Sequence, residues 1–251
     1  MYNTVKQKLA EGKQVVGGTI STPDPEIYCA MANSGFDYLW IEMQHSPLTY
    51  QETARMIWAG RDAPAIPFIR VPDATEGDIQ KATDIGALGI ILPMVTTTKK
   101  VTDAVKFASY PPRGARSLGG GQCHALYGPD YRKTANDNIM IVAMIESPPG
   151  VEIADQIAAI PEADVVFAAA TDLSSFSGHK QGEAEYEAMI TRIHGETLGA
   201  GLALGGPYAW KDRPGFNFFQ APPAEALVRQ AARALLATAT SGVAETEGSE
   251  R

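Results

Sequence analysis

"FDYLWIEMQHSPLTYQETARMIWAG" (residues 36–60) contains the two patterns whose reading decides the fold. From Tyr38 to Ile41 the run is apolar, and it stops at a carboxylate, Glu42. A continuous short apolar run is expected of a strand buried on both faces in a parallel sheet. "SPLTYQE" then offers helix-capping residues, and an amphipathic pattern follows over 50–60. A strand followed by a helix is the repeating half of a βαβ unit.

The same alternation runs outward in both directions. Strands are expected at 14–21, 36–42, 65–71, 88–94, 139–146, 164–170, 201–206 and 216–221. Helical patterns lie between them at 24–34, 50–60, 76–86, 97–108, 149–158 and 183–199, and another follows at 222–238. Eight strands joined by right-handed crossovers in a chain of 251 residues predict an α/β fold, a (β/α)8 TIM barrel in a single domain over 1–240. An open doubly wound sheet is the alternative. "PYAWKDRPG" (207–215), between the last two strands, reads as a loop. Residues 110–138 read as an irregular connection of roughly thirty residues, a length usually reserved for function or disorder. "SGVAETEGSER" (241–251) reads as a disordered acidic tail.

Composition removes several functions. A formal net charge of −8 argues against a nucleic-acid surface. The apolar runs are too short to span a membrane, and "MYNTVKQKLAEGKQ" has no apolar signal region, which points to the cytoplasm. With Cys29 and Cys123 alone there is neither a disulfide framework nor a Cys-x-x-Cys site. Cys29 is expected in the core, while Cys123, in a glycine-rich loop, stays open as a reactive thiol. Dinucleotide, P-loop and nucleophile-elbow motifs are absent.

In a barrel, active sites collect at the carboxyl ends of the strands. There the chain places Glu42 followed by Gln44 and His45, then Arg70, then Glu146, then Thr171 and Asp172. Each alone has an ordinary structural explanation; together they would face one mouth. Glu146 and Asp172, from neighbouring strands, suit a hard divalent cation such as Mg²⁺ or Mn²⁺, with open positions for a 2-oxo acid. Arg70 would oppose the charge on an enolate oxygen. His45 could move protons near neutral pH. Backbone N–H groups in "ATDLS" could hold a carboxylate. No expected strand ends in lysine, which disfavours a Schiff-base aldolase.

"SGFDYLWIEMQHSP", "PFIRVP", "DIGALGIILPMV", "YPPRGARS", "MIESPPGVEIADQIAAIPEADVVF" and "ATDLS" occur in an order and spacing that resembles the HpcH/HpaI aldolase family, the metal-dependent class II pyruvate aldolases. The similarity spans roughly residues 4–240. It implies a divalent metal ion (Mg²⁺, Mn²⁺ or Co²⁺) on Glu146 and Asp172, and Arg70 on the keto or enolate oxygen. It implies the substrate carboxylate at Ala170, Thr171 and Asp172, and His45 beside Asp84 as a dyad acting on a water at the metal. It further implies a homohexamer whose last helix packs on a neighbouring subunit.

The chain departs from the family pattern at several points. Asp-x-Glu-His reads here Glu42-Met43-Gln44-His45, so Glu42 and Gln44 are assigned to orienting roles rather than to the metal. Met144 replaces a glutamine, Ala169-Ala170 replace Gly-Pro, Ser117 replaces a glycine, and "FNFFQAPP" (216–223) lacks the usual small residues. The expected reaction is cleavage of a 4-hydroxy-2-oxo acid to pyruvate or a related 2-oxo acid and an aldehyde, and the reverse addition. The competing functions are a metal-dependent decarboxylase or hydrolase of a 2-oxo acid, and a non-catalytic 2-oxo-acid-binding barrel.

Overall fold

Strands of unbroken apolar sequence need cover on both faces, and a ring of strands inside a ring of helices supplies it. The computed structural model describes residues 2–119 and 121–244. Its order begins α1 (Thr4–Ala10), β1 (Val15–Ile20), α2 (Pro25–Ala32), β2 (Tyr38–Glu42), α3 (Tyr50–Ala59), β3 (Ile66–Arg70), α4 (Glu76–Asp84), β4 (Gly89–Leu92) and α5 (Thr98–Ala108). It continues with α6 (Gln122–Tyr127), α7 (Tyr131–Asn138), β5 (Met140–Ile145), α8 (Pro148–Glu152), α9 (Ala154–Ala158), β6 (Val165–Ala168), α10 (Ala170–Ser177) and α11 (Ala184–Gly199). The last elements are β7 (Ala203–Pro207), a short 3-10 turn (Tyr208–Trp210), β8 (Phe216–Pro223) and α12 (Ala224–Ala244). The eight strands are parallel and β8 pairs with β1, so the sheet is a closed barrel and the open alternative is set aside.

Local chemistry explains where helices start. Asp24 accepts from the backbone N–H groups of Glu26 and Ile27 at the head of α2. Thr49 and Glu52 form a reciprocal capping box on α3. Thr75 and Thr97 cap α4 and α5 through their side chains, which accept from the N–H groups of Asp78 and Lys100.

Strand periodicity explains what fills the barrel. Tyr38, Trp40, Phe68, Val142, Met144, Phe167 and Phe218 belong to one buried cluster inside the ring. Ring centroids lie 4.6 Å apart for Tyr38–Phe218, 4.7 Å for Tyr38–Phe68 and 5.2 Å for Trp40–Phe167. Two glycines make room: a Cβ on Gly17 would lie 2.1 Å from the Tyr38 ring, and one on Gly89 would lie 2.1 Å from the Phe68 ring. The buried Tyr38 hydroxyl donates to the Phe219 carbonyl at 2.8 Å. Inward side chains recur every second residue. The next inward positions after Trp40, Phe68 and Met144 are Glu42, Arg70 and Glu146, so the aromatic plug ends in a charged layer.

At the opposite end, α1 is tied down by two buried asparagines. Asn3 donates to the carbonyls of Leu88 (3.1 Å) and Asn138 (2.7 Å) and accepts from the N–H groups of Val5 and Lys6. Asn138 Oδ1 accepts from the N–H groups of Tyr2 and Asn3. Asn3→Ala removes a cap and leaves buried carbonyls unpaired, so it is expected to destabilise the fold by about 2–4 kcal/mol in urea titration. A loss below about 0.5 kcal/mol, the range of an ordinary surface substitution, would refute this role.

The structure departs from the sequence expectations in several places. Residues 110–138 are not one irregular loop: they contain α6 and α7. There Tyr127 stacks between Tyr2 (5.1 Å) and Tyr131 (5.6 Å), and His124 meets the Tyr131 ring edge-on. His124, Tyr127 and Tyr131 therefore pack within the chain. Residues 149–158 form two short helices that meet at Ile153. α1 is an additional element, and α12 continues through Ala244. Of the expected acidic tail, residues 245–251 lie outside the described residues. Cys29 is half-buried, whereas Cys123 is fully buried and burial pushes its thiol up, which argues against the reactive role left open for it. Among the described residues no helix is long and apolar enough to cross a membrane.

Candidate active site

The charged layer sits on the carboxyl ends of β2, β3 and β5. Glu42 and Arg70 are direct neighbours in the β2–β3 register. Arg70 is buried and places Nη1 3.2 Å from Glu42 Oε2 and Nη2 3.3 Å from Glu146 Oε1. Its Nε is also buried and has no hydrogen-bond partner among the described residues. Leaving a buried cationic donor unpaired is costly, and such a group is a site for an incoming acceptor.

Glu42 is the hub that orients this corner. Besides Arg70 it accepts from Trp40 Nε1 (3.2 Å) and from the backbone N–H groups of Gln44 (2.8 Å) and His45 (3.1 Å). Gln44 thus meets Glu42 through its backbone, while its side-chain Oε1 is buried without a partner. His45 projects from the loop after β2. It is exposed, and its ring has no hydrogen-bond partner among the described residues.

Glu146 is almost fully buried at the end of β5. Burial is the main influence that pushes its carboxyl above the ordinary value. Arg70, the backbone N–H of Met94 and His45 pull it down, and nearby Asp172 pushes it up. These mutual influences bring Arg70, His45, Glu146 and Asp172 into one electrostatic neighbourhood. Met94 is a contributor that the sequence analysis missed. Its backbone is in the left-handed region, with φ of 50°, which is uncommon for a non-glycine residue and characteristic of functional sites. No sequence signal marks it, because methionine has no preference for that conformation.

Asp172 lies in the first turn of α10, half-buried. The helix begins at Ala170 with Ala169 as N-cap, and no side chain caps it. The N–H groups of Ala170, Thr171 and Asp172 belong to the first turn, where no intrahelical acceptor is available. They stand beside Glu146 and offer an anion-binding helix end. Replacing Gly-Pro by Ala169-Ala170 has therefore not removed the helix start.

Asp84 is placed elsewhere. It is the last residue of α4, on the end of the barrel away from the mouth, with Oδ1 2.7 Å from Nη2 of buried Arg116. Arg116 also donates to the Tyr131 hydroxyl at 2.8 Å. Gly121 packs so closely that a Cβ would lie 2.5 Å from the Asp84 carbonyl oxygen. Within one chain Asp84 and His45 occupy opposite ends, so the dyad expected from the resemblance does not form there. A helix-end position in sequence indicates a face, not a partner.

Beside Glu42 and His45 opens a cavity of about 630 Å³, bounded by the ends of β1, β7 and β8 and the first turn of α12. Among the described residues no group of three or more His, Cys, Asp or Glu side chains is arranged to enclose a metal. Glu146 and Asp172 instead offer an oxygen-only pair, the donor chemistry suited to Mg²⁺ or Mn²⁺, which take one or two carboxylates and complete their shell with water and substrate.

A closed (β/α)8 barrel whose carboxyl mouth gathers an arginine, carboxylates and a histidine beside an open cavity has the form of a barrel enzyme. The pattern of the HpcH/HpaI aldolase/citrate lyase family matches residues 20–205, and the chain belongs to that family. A hydroxypyruvate/pyruvate aldolase of Rhizorhabdus wittichii is 32% identical over 247 residues, covering 94% of this chain and 98% of that protein. A 4-hydroxy-2-oxovalerate aldolase of Novosphingobium aromaticivorans is 31% identical over 207 residues, covering 82% and 78% respectively. Among solved structures, a HpcH/HpaI aldolase/citrate lyase family protein of Burkholderia cenocepacia superposes with a TM-score of 0.87 at 26% identity, covering 95% of this chain and 99% of that one. The family is generally dependent on a divalent metal.

Proposed function

We propose that the protein is a divalent-metal-dependent aldolase that cleaves 4-hydroxy-2-oxo acids to pyruvate, or a close 2-oxo acid, and an aldehyde, and catalyses the reverse addition. The observation that carries this is Arg70, buried and bridged to Glu42 and Glu146, with Nε left for a substrate oxygen. The activities named for the relatives support pyruvate or a similar 2-oxo acid as donor.

Glu146 and Asp172 would hold the cation. When bound, it supplies Lewis-acid polarisation of the C2 ketone. The N–H groups of Ala170, Thr171 and Asp172 hold the substrate carboxylate. In cleavage, His45 serves the transfer of the C4 hydroxyl proton. The C3–C4 bond breaks and its electron pair moves onto C3 and the C2 oxygen. Arg70 opposes the charge growing on that oxygen. The aldehyde leaves from C4, and a proton delivered to C3 completes pyruvate. Glu42 fixes Arg70 and the backbone that carries His45. Addition follows the same path in reverse.

Incubation of the intact protein with pyruvate in D₂O is expected to exchange the C3 hydrogens when Mg²⁺, Mn²⁺ or Co²⁺ is added. Chelation should lower the rate at least about 10²-fold and re-addition should restore it. Absence of exchange with all three metals would overturn the proposal. The choice of metal, a cytoplasmic setting and a homohexameric assembly belong to the same proposal. The exposed Val228 and Leu235 on α12 support an assembly in which that helix meets a neighbour.

A further inference from the structure

Trp40 and Glu42 are successive inward residues of β2, so the indole lies directly beneath the carboxylate. Trp40 is fully buried, and its Nε1–H donates to Glu42 Oε2 at 3.2 Å, its one hydrogen bond among the described residues. An indole N–H can only donate, and when buried it needs a partner. The ring itself is held by packing. It lies edge-on to Phe167, with centroids 5.2 Å apart, and its strand position is paired with Thr19 on β1 and Phe68 on β3.

Glu42 is the flexible member of the pair. The chain carries it where the family pattern has aspartate, and the extra methylene adds a rotatable bond to the arm. Four donors fix its head. The N–H groups of Gln44 and His45 meet Oε1 at 2.8 and 3.1 Å, while Trp40 Nε1 and Arg70 Nη1 each meet Oε2 at 3.2 Å. A carboxylate offers about four lone-pair sites, so the set is full.

The two oxygens are held differently. Oε1 is pinned by backbone alone. Oε2 is pinned by Arg70, which is the group to be positioned, and by Trp40, which is the fixed point on that side. Without the indole N–H the carboxylate can pivot about Oε1 and carry Oε2 and Arg70 Nη1 with it. Arg70 is then drawn to its other anchor, Glu146 Oε1, 3.3 Å from Nη2. The guanidinium is planar and rigid, so its unpartnered Nε turns with it.

We infer that Trp40 is a positioning residue of this site: its indole N–H locks the Glu42 carboxylate, and through it aims the Arg70 guanidinium at the substrate oxygen. This rests on the aldolase function proposed above and adds a residue to the set that carries it.

The test is C3 exchange of pyruvate by the full chain with Mn²⁺. Trp40→Phe keeps an aromatic ring in the barrel and removes the donor. Its kcat is expected to fall about tenfold, the scale of a hydrogen bond to a charged group, with KM for pyruvate within about threefold of wild type. Replacing Trp40 by benzothienylalanine, which keeps both fused rings and lacks the N–H, should reproduce that loss at the wild-type unfolding midpoint in urea, which separates the hydrogen bond from packing. In a Glu42→Asp background the shortened carboxylate no longer meets the indole, and Trp40→Phe should cost less than about threefold. Calorimetric binding of Mn²⁺ should be unchanged in the benzothienylalanine protein, because Trp40 has no hydrogen bond to Glu146 or Asp172. Full activity in the benzothienylalanine protein would overturn the inference, as would lost Mn²⁺ binding there, or the same fold-loss from Trp40→Phe in both backgrounds. Exchange by the wild type with any of these results overturns the role of Trp40 alone, whereas no exchange by the wild type overturns the aldolase function and this role with it.

Discussion

Arg70→Ala is expected to lower both C3 exchange and carbon–carbon cleavage by about 10³-fold, the scale on which removal of a pre-placed charge partner slows a reaction. The arginine is fixed before substrate arrives, held from two sides by Glu42 and Glu146 in a layer closed to water from below. Its truncation removes the charge proposed to oppose the enolate and leaves two carboxylates facing each other across the gap. Loss of a buried partner is also destabilising, by about 3–5 kcal/mol for a fully buried pair. Circular dichroism and urea titration must therefore accompany the rate. Arg70→Lys separates the two effects. It retains the charge, but a point-like ammonium cannot span both carboxylates as the guanidinium fork does, so it is expected to recover stability and little of the rate. Near-wild-type exchange in Arg70→Ala would remove its assigned role.

Glu146→Gln is expected to separate activity from stability in the opposite way. Burial disfavours the charged form of Glu146, so a neutral isostere relieves a penalty in the folded protein. The unfolding free energy should hold or rise, within about 1 kcal/mol. The metal-dependent rate should nevertheless fall about 10³-fold, because the carboxylate proposed to hold the cation is gone. Calorimetric titration with Mn²⁺ should lose its signal in the same variant. A Glu146→Gln protein that binds Mn²⁺ as the wild type does would show that the carboxylate is not the ligand.

The two halves of this site were not equally legible in sequence. Glu42, Arg70 and Glu146 stand out because each ends an apolar run, and a charge at the end of a buried strand has few places to go. Their inward direction was also written there, two residues beyond Trp40, Phe68 and Met144. Closure of the sheet was less local: the β1–β8 pairing joins residues some two hundred positions apart, and only the count of strands argues for it. α7, "YRKTANDN", escaped notice because it is polar almost throughout and has no apolar stripe; what makes it a helix is the packing of Tyr131 and Ala135. The surroundings of Asp84 within the chain were hidden for a related reason. Its sequence neighbours say that it ends a helix, but its partner, Arg116, lies in a segment whose path no periodicity reveals. Met94 was invisible because its role belongs to the backbone.

The aromatic plug has a bearing on the order of events. Tyr38, Trp40, Phe68, Phe167 and Phe218 seal the barrel beneath the charged layer, so the site has one door. Under the proposed function the 2-oxo acid would settle on Arg70 and the first turn of α10, inward of the outer cavity beside His45. Whichever molecule occupies that outer cavity stands in the other's way. Addition must then proceed with the 2-oxo acid first and the aldehyde second, and cleavage must release the aldehyde before pyruvate can leave. Excess aldehyde would act as a stopper on the empty enzyme, giving substrate inhibition that added pyruvate relieves.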